Sequence, residues 1–519
     1  MNNWSWLSVK ILLAVVFGTA LTLSFAPSDA WWFSPFCLMG LFLLLAETSV
    51  WQASLIGFSF GLGWFASGFW WMVPALNHYS ASGLVFSFFL TSILVLYLSL
   101  FPALATALSS YYHWNQTTKL TETTLHCAAI AVVWTSMEWL RGCLFGGMPW
   151  LITGYAQVSG PFAGFGPLIG AFGLSFLNAL VAALFANILG DLKNWKKKMA
   201  FCILVILSIG MGGLHLQSIS WTNDTGRTLS VRLLQGNLAQ HDKFTQEGFN
   251  RALSLYGNLA NNSNAQLTVL PETALPFEWF SLPESVVPTW KKIARDRNTA
   301  IVIGTVVAKP GSSGGTDDTT NSAVVVTPEA TENSYNYRYD KFHLVPFGET
   351  IPSGAEWIGK RLNLNFGTFV PGEEMQKPLI LPGAIVALSI CFEDLFDTTM
   401  ARKAQDAEVI LNITNFGWFT ETYAPAQHLQ AARMRALETG RWFIQGSNTG
   451  MTALIDTHGI IHDILPADMT GVLDGSVQLF TGSTPFMRYG NTPLLTFFMS
   501  LTGYIVFRSI KSKKAMKNV

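Results

Sequence analysis

Ala384–Asp394, AIVALSICFED, is an apolar run that breaks at one cysteine and two acids. Pro382-Gly383 sets a turn ahead of it, and a short run of small and branched apolar residues after such a turn predicts a strand buried on both faces. Cys391 then falls where strand gives way to loop, with Glu393 and Asp394 close behind. A strand end is a good mount for a nucleophile, because the rigid strand aims the sulfur while the following backbone N–H groups can face a developing oxyanion. A free cysteine there also serves as plain packing, so the company Cys391 keeps must decide.

Cys37, Cys127, Cys143 and Cys202 lie in or beside very apolar segments, which leaves Cys391 as the only cysteine in the polar part of the chain. It has no partner there for a structural disulfide, and no CxxC or Cys/His spacing points to zinc. No spacing in the chain implies an organic cofactor either. Half of the 519 residues are hydrophobic and formal net charge is zero, so nothing favours nucleic acid as a partner.

Charge is unevenly spread. Up to about Leu216 ionisable residues are few, whereas Thr222–Met487 has an ordinary soluble composition. The expected organisation is a membrane domain over 1–221, an extracytoplasmic globular domain over 222–487, and a last membrane helix with a basic cytoplasmic tail over 488–519. A span needs about 20 mostly apolar residues. Eight segments qualify by eye: Val9–Phe25, Trp31–Ala46, Ser54–Val73, Gly83–Leu108, Leu125–Cys143, Pro167–Leu189, Ala200–Leu216 and Leu494–Phe507. Placing the N-terminus inside puts the basic Lys119 loop, the Lys193–Lys198 loop and the tail Arg508–Lys517 on the cytoplasmic side. The globular domain then faces the opposite side, the periplasm or exterior in a bacterium. The loop Arg141–Tyr155, rich in glycine and aromatics, emerges on that same side and reads either as an interfacial belt or as a guide for lipid beneath the globular domain.

Within the globular part, Thr228–Asn237 reads as a strand and Lys243–Asn261 as helical. Gln266–Pro276, QLTVLPETALP, reads as a buried strand followed by Glu272 between two prolines. Ser285–Arg297 is expected helical, Ala300–Val307 a core strand, and Lys309–Ser322 a flexible hairpin tip returning through Ala323–Val326. Tyr335–Tyr339 leads into Lys341 and an aromatic, proline-broken loop containing Glu349. Ile351–Phe369 mixes apolar and basic residues, as a membrane-touching arm or ordinary packing would. Glu408–Thr414 is a strand ending at Asn415-Phe416-Gly417-Trp418-Phe419, and Gln427–Thr439 is a helix closed by Gly440. Three short strands follow, at Trp442–Ser447, Thr452–Ile455 and Gly459–His462. Strands alternating with two or three helices indicate an α/β sandwich, and no glycine-rich phosphate turn follows the first strand, so it is not a dinucleotide fold.

Glu272, Lys341 and Cys391 each follow a strand, so all three can meet at one sheet edge. Taken singly, Glu272 also reads as an exposed turn residue and Lys341 as a solvated surface group. Together they form a set for acyl transfer through a thioester: a thiol, a carboxylate to take its proton and an ammonium to meet an oxyanion.

LPET with Glu272, YDKFHLVPFGE with Lys341 and Glu349, and ICFED with Cys391 resemble the Glu-Lys-Cys triad of the nitrilase/amidase, or carbon-nitrogen hydrolase, superfamily. With the membrane spans added, the chain resembles the bacterial apolipoprotein N-acyltransferases over essentially its whole length. NITNFGWF and QHLQAARMRALETGR are similar to that family's patterns too. The resemblance implies a nitrilase-like αββα domain on about eight inner-membrane helices, no cofactor, a phospholipid acyl donor (typically phosphatidylethanolamine) and a diacylglyceryl-cysteine lipoprotein as acceptor. It implies Cys391 as nucleophile, Glu272 as base, and Lys341 with the Phe392 backbone N–H as oxyanion partners. Glu349 and Glu393 would support the site, and Asn415 and Trp418 would line it. Phe244 stands where family members often carry Trp, and Phe392 where Tyr is frequent, which keeps an aromatic contact and removes a ring hydrogen bond.

Two other classes predict different features. A nitrilase-type hydrolase merely tethered to a membrane needs one anchoring helix. A transporter or sensor needs ionisable residues along its bundle, where only Glu138 and Arg141 sit near depth.

Overall fold

A computed structural model describes residues 3–79, 83–111, 120–190, 195–309, 318–329, 335–351 and 369–517. The Lys119 loop, Lys193, the hairpin tip 310–317 and the arm 352–368 lie outside the described residues. Two compact units emerge: one of Met1–Trp70, Leu90–Ile219 and Tyr489–Val519, the other of Trp71–Phe89 and Ser220–Arg488.

The first unit is helical. It contains α1 (Asn3–Leu21), α2 (Phe33–Leu44), α3 (Val50–Gly68), most of α5 (Gly83–Ser109), α6 (Leu120–Cys143), α7 (Gly166–Gly190) and α8 (Trp195–Gln217), while α4 (Met72–Tyr79) counts with the second unit. Among the described residues, four helical stretches, Ser5–Ser24, Gly83–Ser109, Ala163–Gly190 and Met199–Gln217, are long and apolar enough to cross a bilayer. The other four expected spans also fall on helices, but α2 has only 12 residues, about 18 Å of a core near 30 Å. The remaining three are less apolar. Close packing here rests on small residues: a Cβ at Gly18 would lie 2.0 Å from the Phe60 carbonyl oxygen, and one at Gly63 would lie 2.2 Å from that of Val15.

The buried charges of this unit are matched to one loop. Arg141 donates to the carbonyls of Met148 (2.8 Å), Trp150 (2.6 Å) and Leu151 (3.3 Å). Glu138 accepts from the backbone N–H and the hydroxyl of Thr153 at 3.0 and 2.9 Å. The Gly- and aromatic-rich turn after α6 is thereby tied to its own helix.

The second unit is a two-sheet sandwich. One sheet runs β13 (Gly471–Thr481), β1 (Asn223–Gln235), β2 (Leu267–Val269), β4 (Ala300–Ala308), β5 (Thr319–Val326), β6 (Tyr337–Asp340), with β3 (Leu275–Glu278) also on β4. The other runs β12 (Ile461–Leu465), β11 (Thr452–Ile455), β10 (Trp442–Ser447), β9 (Val409–Thr414), β8 (Ala384–Ile390), β7 (Leu379–Leu381). Strands β1, β2 and β4 are parallel, as are β8, β9 and β10. Parallel strands buried on both faces need near-continuous apolar runs, which AIVALSI and VILNIT provide.

Alternation along each strand divides the residues between two cores. Val302, Val386, Leu388, Leu411 and Ile444 fill the space between the sheets. Ile301 and Ile303 face outward onto α10 (Gln246–Asn261) and α11 (Val286–Arg297) through Phe249, Tyr256 and Trp290. On the other side, Ala387, Ile410 and Phe443 meet α12 (Asp397–Gln405) and α13 (Ala424–Thr439) through Met400, Leu429 and Ala436. The layering is αββα. The chain re-enters the membrane-type unit through α14 (Thr492–Lys517).

Elements beyond the sequence reading include β3, β7, the helix α12, and the long β13, which closes the first sheet against β1. The last short strand begins at Ile461 rather than Gly459.

Leu411 is fully buried between the sheets, so Leu411→Ala should cost about 3 kcal/mol. A fall in the midpoint of thermal unfolding in detergent, read on the α/β unit by limited proteolysis, checks this. Unchanged resistance would mean that the inter-sheet core does not hold the unit.

Candidate active site

Both sheets contribute to one polar cluster at their edge. Glu272 sits in the turn between β2 and β3, which can lie close over β4 because residue 304 is glycine: a Cβ there would be 2.2 Å from the Pro271 carbonyl oxygen and 2.7 Å from Glu272 Cα. Lys341 follows β6 directly. Its Nζ lies 2.9 Å from Glu272 Oε1 and 2.9 Å from Glu349 Oε1. Asn321, on β5, donates to the same two oxygens at 2.7 and 2.6 Å, and Val345 N donates to Glu349 Oε2 at 2.8 Å. Lys341 and Glu272 are 1 % and 5 % exposed, so these are desolvated contacts whose partners hold one another in place.

Cys391 arrives from the opposite sheet. It follows β8 with φ of +56°, a left-handed conformation that costs a non-glycine residue about 1–3 kcal/mol and persists only where neighbours impose it. Its carbonyl accepts from Asn412 Nδ2 at 2.8 Å and lies 3.4 Å from His428 Nε2. His428 is also 2.9 Å from Asp394, both fully buried.

Glu393 locks the elbow to the lysine loop. Its Oε2 accepts from Ile390 N and from Tyr339 OH, each at 2.8 Å. Its Oε1 accepts from Phe342 N at 2.8 Å and His343 N at 3.3 Å. Lys403, from α12, donates to the Tyr339 hydroxyl and stands 3.9 Å from Glu393.

Electrostatics follow from this burial. Desolvation pushes the Cys391 thiol up to about 12, the Glu272 carboxylate adds to the rise, and Lys341 opposes it. Burial alone would lower Lys341, but Glu272 and Glu349 outweigh it and hold the ammonium well above its ordinary range. Burial raises Glu349, with Lys341 opposing and Glu272 adding. At neutral pH the cluster presents a protonated thiol and an ammonium beside two carboxyl groups. It can pass the thiol proton to Glu272 and hold an anion beside Lys341.

Of the expected residues, Glu272, Lys341, Glu349 and Cys391 share this cluster, and Glu393 braces it from behind. Asn415 flanks the Glu272 turn: its Nδ2 donates to Gln240 Oε1 at 2.7 Å and to Thr273 Oγ1 at 3.4 Å, and its Oδ1 accepts from Asn448 at 3.0 Å. Phe392 packs edge-on against Phe396 at 5.5 Å. Trp418 is half-buried, and Phe244, which ends α9 (Gln240–Lys243), is 46 % exposed. Sequence reasoning missed Asn321, Tyr339 and Lys403. An amide inside the apolar run TTNSAVVV was the available signal for Asn321.

Residues 17–184 match the family described as apolipoprotein N-acyltransferase N-terminal domain, and residues 230–483 match the carbon-nitrogen hydrolase family. A protein named apolipoprotein N-acyltransferase from Ralstonia nicotianae is 37 % identical over 93 % of this chain and 90 % of its own length. One of the same name from Nitrosomonas europaea is 34 % identical over 93 % of this chain and 94 % of its own. Among solved structures, a carbon-nitrogen hydrolase from Helicobacter pylori aligns at 17 % identity and TM-score 0.35, covering 48 % of this chain and 88 % of that one. An amidase from Nesterenkonia sp. aligns at 20 % identity and TM-score 0.36, covering 52 % and 96 %.

Two expectations follow from the geometry. Iodoacetamide should alkylate resting Cys391 slowly at pH 7 and about tenfold faster per pH unit above it, since thiolate accumulates only as pH nears about 12; a rate already flat from pH 7 would refute the protonated thiol. Asn321→Ala, which strips a donor from both carboxylates, should slow acylation of Cys391 by p-nitrophenyl butyrate about tenfold or more. The pre-steady-state p-nitrophenolate burst measures it.

Proposed function

Because this chain belongs to the apolipoprotein N-acyltransferase family and is therefore an N-acyltransferase enzyme, we propose that it carries a fatty acyl group from a membrane phospholipid, through a thioester on Cys391, to the α-amino group of a diacylglyceryl-cysteine at a lipoprotein N-terminus. The observation that carries this is the buried Glu272–Lys341–Glu349 cluster with Cys391 poised on a strained elbow beside it. Homologous proteins that match more than nine-tenths of the chain and bear the acyltransferase name support the substrate classes.

In the first half-reaction Glu272 takes the Cys391 proton as the sulfur attacks the donor ester. Lys341 and the Phe392 backbone N–H stabilise the tetrahedral oxyanion. The C–O bond then breaks, Glu272 returns the proton to the leaving glycerol oxygen, and lysophospholipid departs. In the second, the acceptor amine attacks the thioester carbonyl, Glu272 takes a proton from the attacking nitrogen, and the Cys391 sulfur leaves and is reprotonated. The product is an amide on a triacylated lipoprotein. Phosphatidylethanolamine is the proposed donor. A thiol that is protonated at rest and activated only by its neighbouring base suits a donor that must first reach the site from the bilayer.

The proposed setting is the bacterial inner membrane. About eight helices cross it, from residues 1–221 and 488–519, and residues 222–487 face the periplasm. Four long apolar helices support a multi-pass domain, and the basic segments Lys193–Lys198 and Arg508–Lys517 support the orientation.

Intact-protein mass spectrometry in phospholipid-containing detergent tests the reading. Wild type should gain a fatty-acyl mass that alkaline hydroxylamine removes and a diacylated lipopeptide discharges, with lipopeptide mass rising to match. Cys391→Ala should gain nothing. Discharge by water but not by lipopeptide would replace this reading with a membrane-tethered hydrolase.

A further inference from the structure

Three buried polar side chains converge behind the main chain of Cys391, and the proposed proton transfers use none of them. Asn412 Nδ2 donates to the Cys391 carbonyl oxygen at 2.8 Å, and His428 Nε2 lies 3.4 Å from the same oxygen. That nitrogen also stands 2.9 Å from Asp394 Oδ1. Both of these neighbours are acceptors, so Nε2 is the nitrogen that carries the ring proton. Asn412, His428 and Asp394 are all fully buried.

Their placement follows from the pleat of the second sheet. Val409, Leu411 and Ile413 of β9 face the core between the sheets, so Asn412 faces the other way with Ile410, toward α12 and α13. Parallel register sets Asn412 opposite Ser389 of β8, two residues before the nucleophile, and its amide also donates to the Ser389 hydroxyl at 3.0 Å. His428 comes from the second turn of α13, where the Phe416 ring packs edge-on against it at 5.1 Å. An amide inside the run VILNIT and an imidazole inside a buried helix face are costly unless partnered. The partner they share is one carbonyl oxygen.

That oxygen belongs to the peptide group whose other end is the Phe392 N–H. A peptide group is planar and trans, so its C=O and N–H point in opposite directions, and fixing one fixes the other. Phe392 is the second residue of the 3-10 turn Cys391–Leu395, and the first N–H groups of such a turn have no acceptor within it. Without a grip on the carbonyl, the plane between Cys391 and Phe392 is free to rotate about its flanking bonds and carry the N–H out of line. Donors at the carbonyl also polarise the group and strengthen its N–H as a donor.

We infer that Asn412 and His428, with Asp394 seating the imidazole, are positioning residues for the oxyanion hole: they clamp the Cys391 carbonyl so that the Phe392 N–H stays aimed at the oxygen of the tetrahedral intermediate. The inference rests on the part proposed above for that N–H in acyl transfer. No proton moves through the clamp. Its use is that a donor already aimed needs no reorganisation as charge develops on the oxygen.

Two reactions of the same sulfur separate this role from support of the fold. Acylation by p-nitrophenyl butyrate builds an oxyanion, whereas alkylation by iodoacetamide displaces iodide at a saturated carbon and builds none. Both are run on the full chain in detergent, acylation as the pre-steady-state p-nitrophenolate burst and alkylation at about pH 9 by mass spectrometry of the Cys391 peptide. Asn412→Leu and His428→Leu should each slow acylation about tenfold, short of the roughly hundredfold that follows outright loss of an oxyanion donor, while alkylation stays within about twofold of wild type. His428→Gln, which keeps an N–H donor in reach of the carbonyl, should recover most of the loss. Acylation unchanged in both leucine variants would overturn the assignment, as would alkylation falling as far as acylation, and a deficit that His428→Gln shares in full would strike His428 from the clamp. Each of these leaves the thioester reading intact so long as Cys391→Ala lacks the burst. A burst that Cys391→Ala retains would remove that reading, and this one with it.

Discussion

Glu393 is the contact on which the site depends, because the thiol and its partners belong to different sheets. Glu272, Asn321, Lys341 and Glu349 hang from the sheet containing β2, β5 and β6, whereas Cys391 ends β8 of the other sheet. Apolar packing between sheets is strong but has little directional preference, so it cannot by itself place a sulfur within tenths of an ångström of a carboxylate. One carboxylate accepting from Ile390 N on one side and from Tyr339 OH and Phe342 N on the other does have direction. Asn448 plays a similar part nearby: it exchanges hydrogen bonds with the backbone of Leu238 after β1 and also donates to Asn415 after β9.

Given that lock, the elbow can hold a conformation it would otherwise leave. The left-handed φ of Cys391 is held by the hydrogen bond from Asn412 to its carbonyl and by the bond from Ile390 N to Glu393. Burial then keeps the sulfur protonated. A thiol of this kind is inert toward most electrophiles until a base takes its proton.

Much of this was legible in the sequence. Short apolar runs and strand-end placement identified β8, β9 and β4 and the three residues that follow strands, since each signal is local. An α/β sandwich followed from strands and helices alternating, and its αββα layering from the family resemblance. What escaped depends on distant partners. Strand β13 alternates buried and exposed residues only because β1 lies beside it, 240 or so residues earlier in the chain. Helix α12, DTTMARKAQ, has a weakly apolar sequence, and its buried Lys403 reads as a surface lysine until Tyr339 and Glu393 are seen around it. Asn321 sits in a strand whose other residues are apolar or hydroxylated, and its purpose is visible only once Glu272 and Glu349 converge on it.

The two units obey one rule for buried charge and use it to opposite ends. Arg141 spends its donors on the backbone carbonyls of its own loop, and Glu138 spends its oxygens on Thr153, so neither has a proton to give or a site to offer. Such saturation makes a brace of the ionisable pair on α6. The cluster at Cys391 is not saturated in this way: two carboxyl groups converge on Lys341, and a protonated thiol lies beside them. A desolvated site with more charge than fixed pairings can move protons without solvent, since small changes in position decide which group holds the proton. That difference in saturation, more than residue type or depth, separates the charges that hold this protein together from those that act.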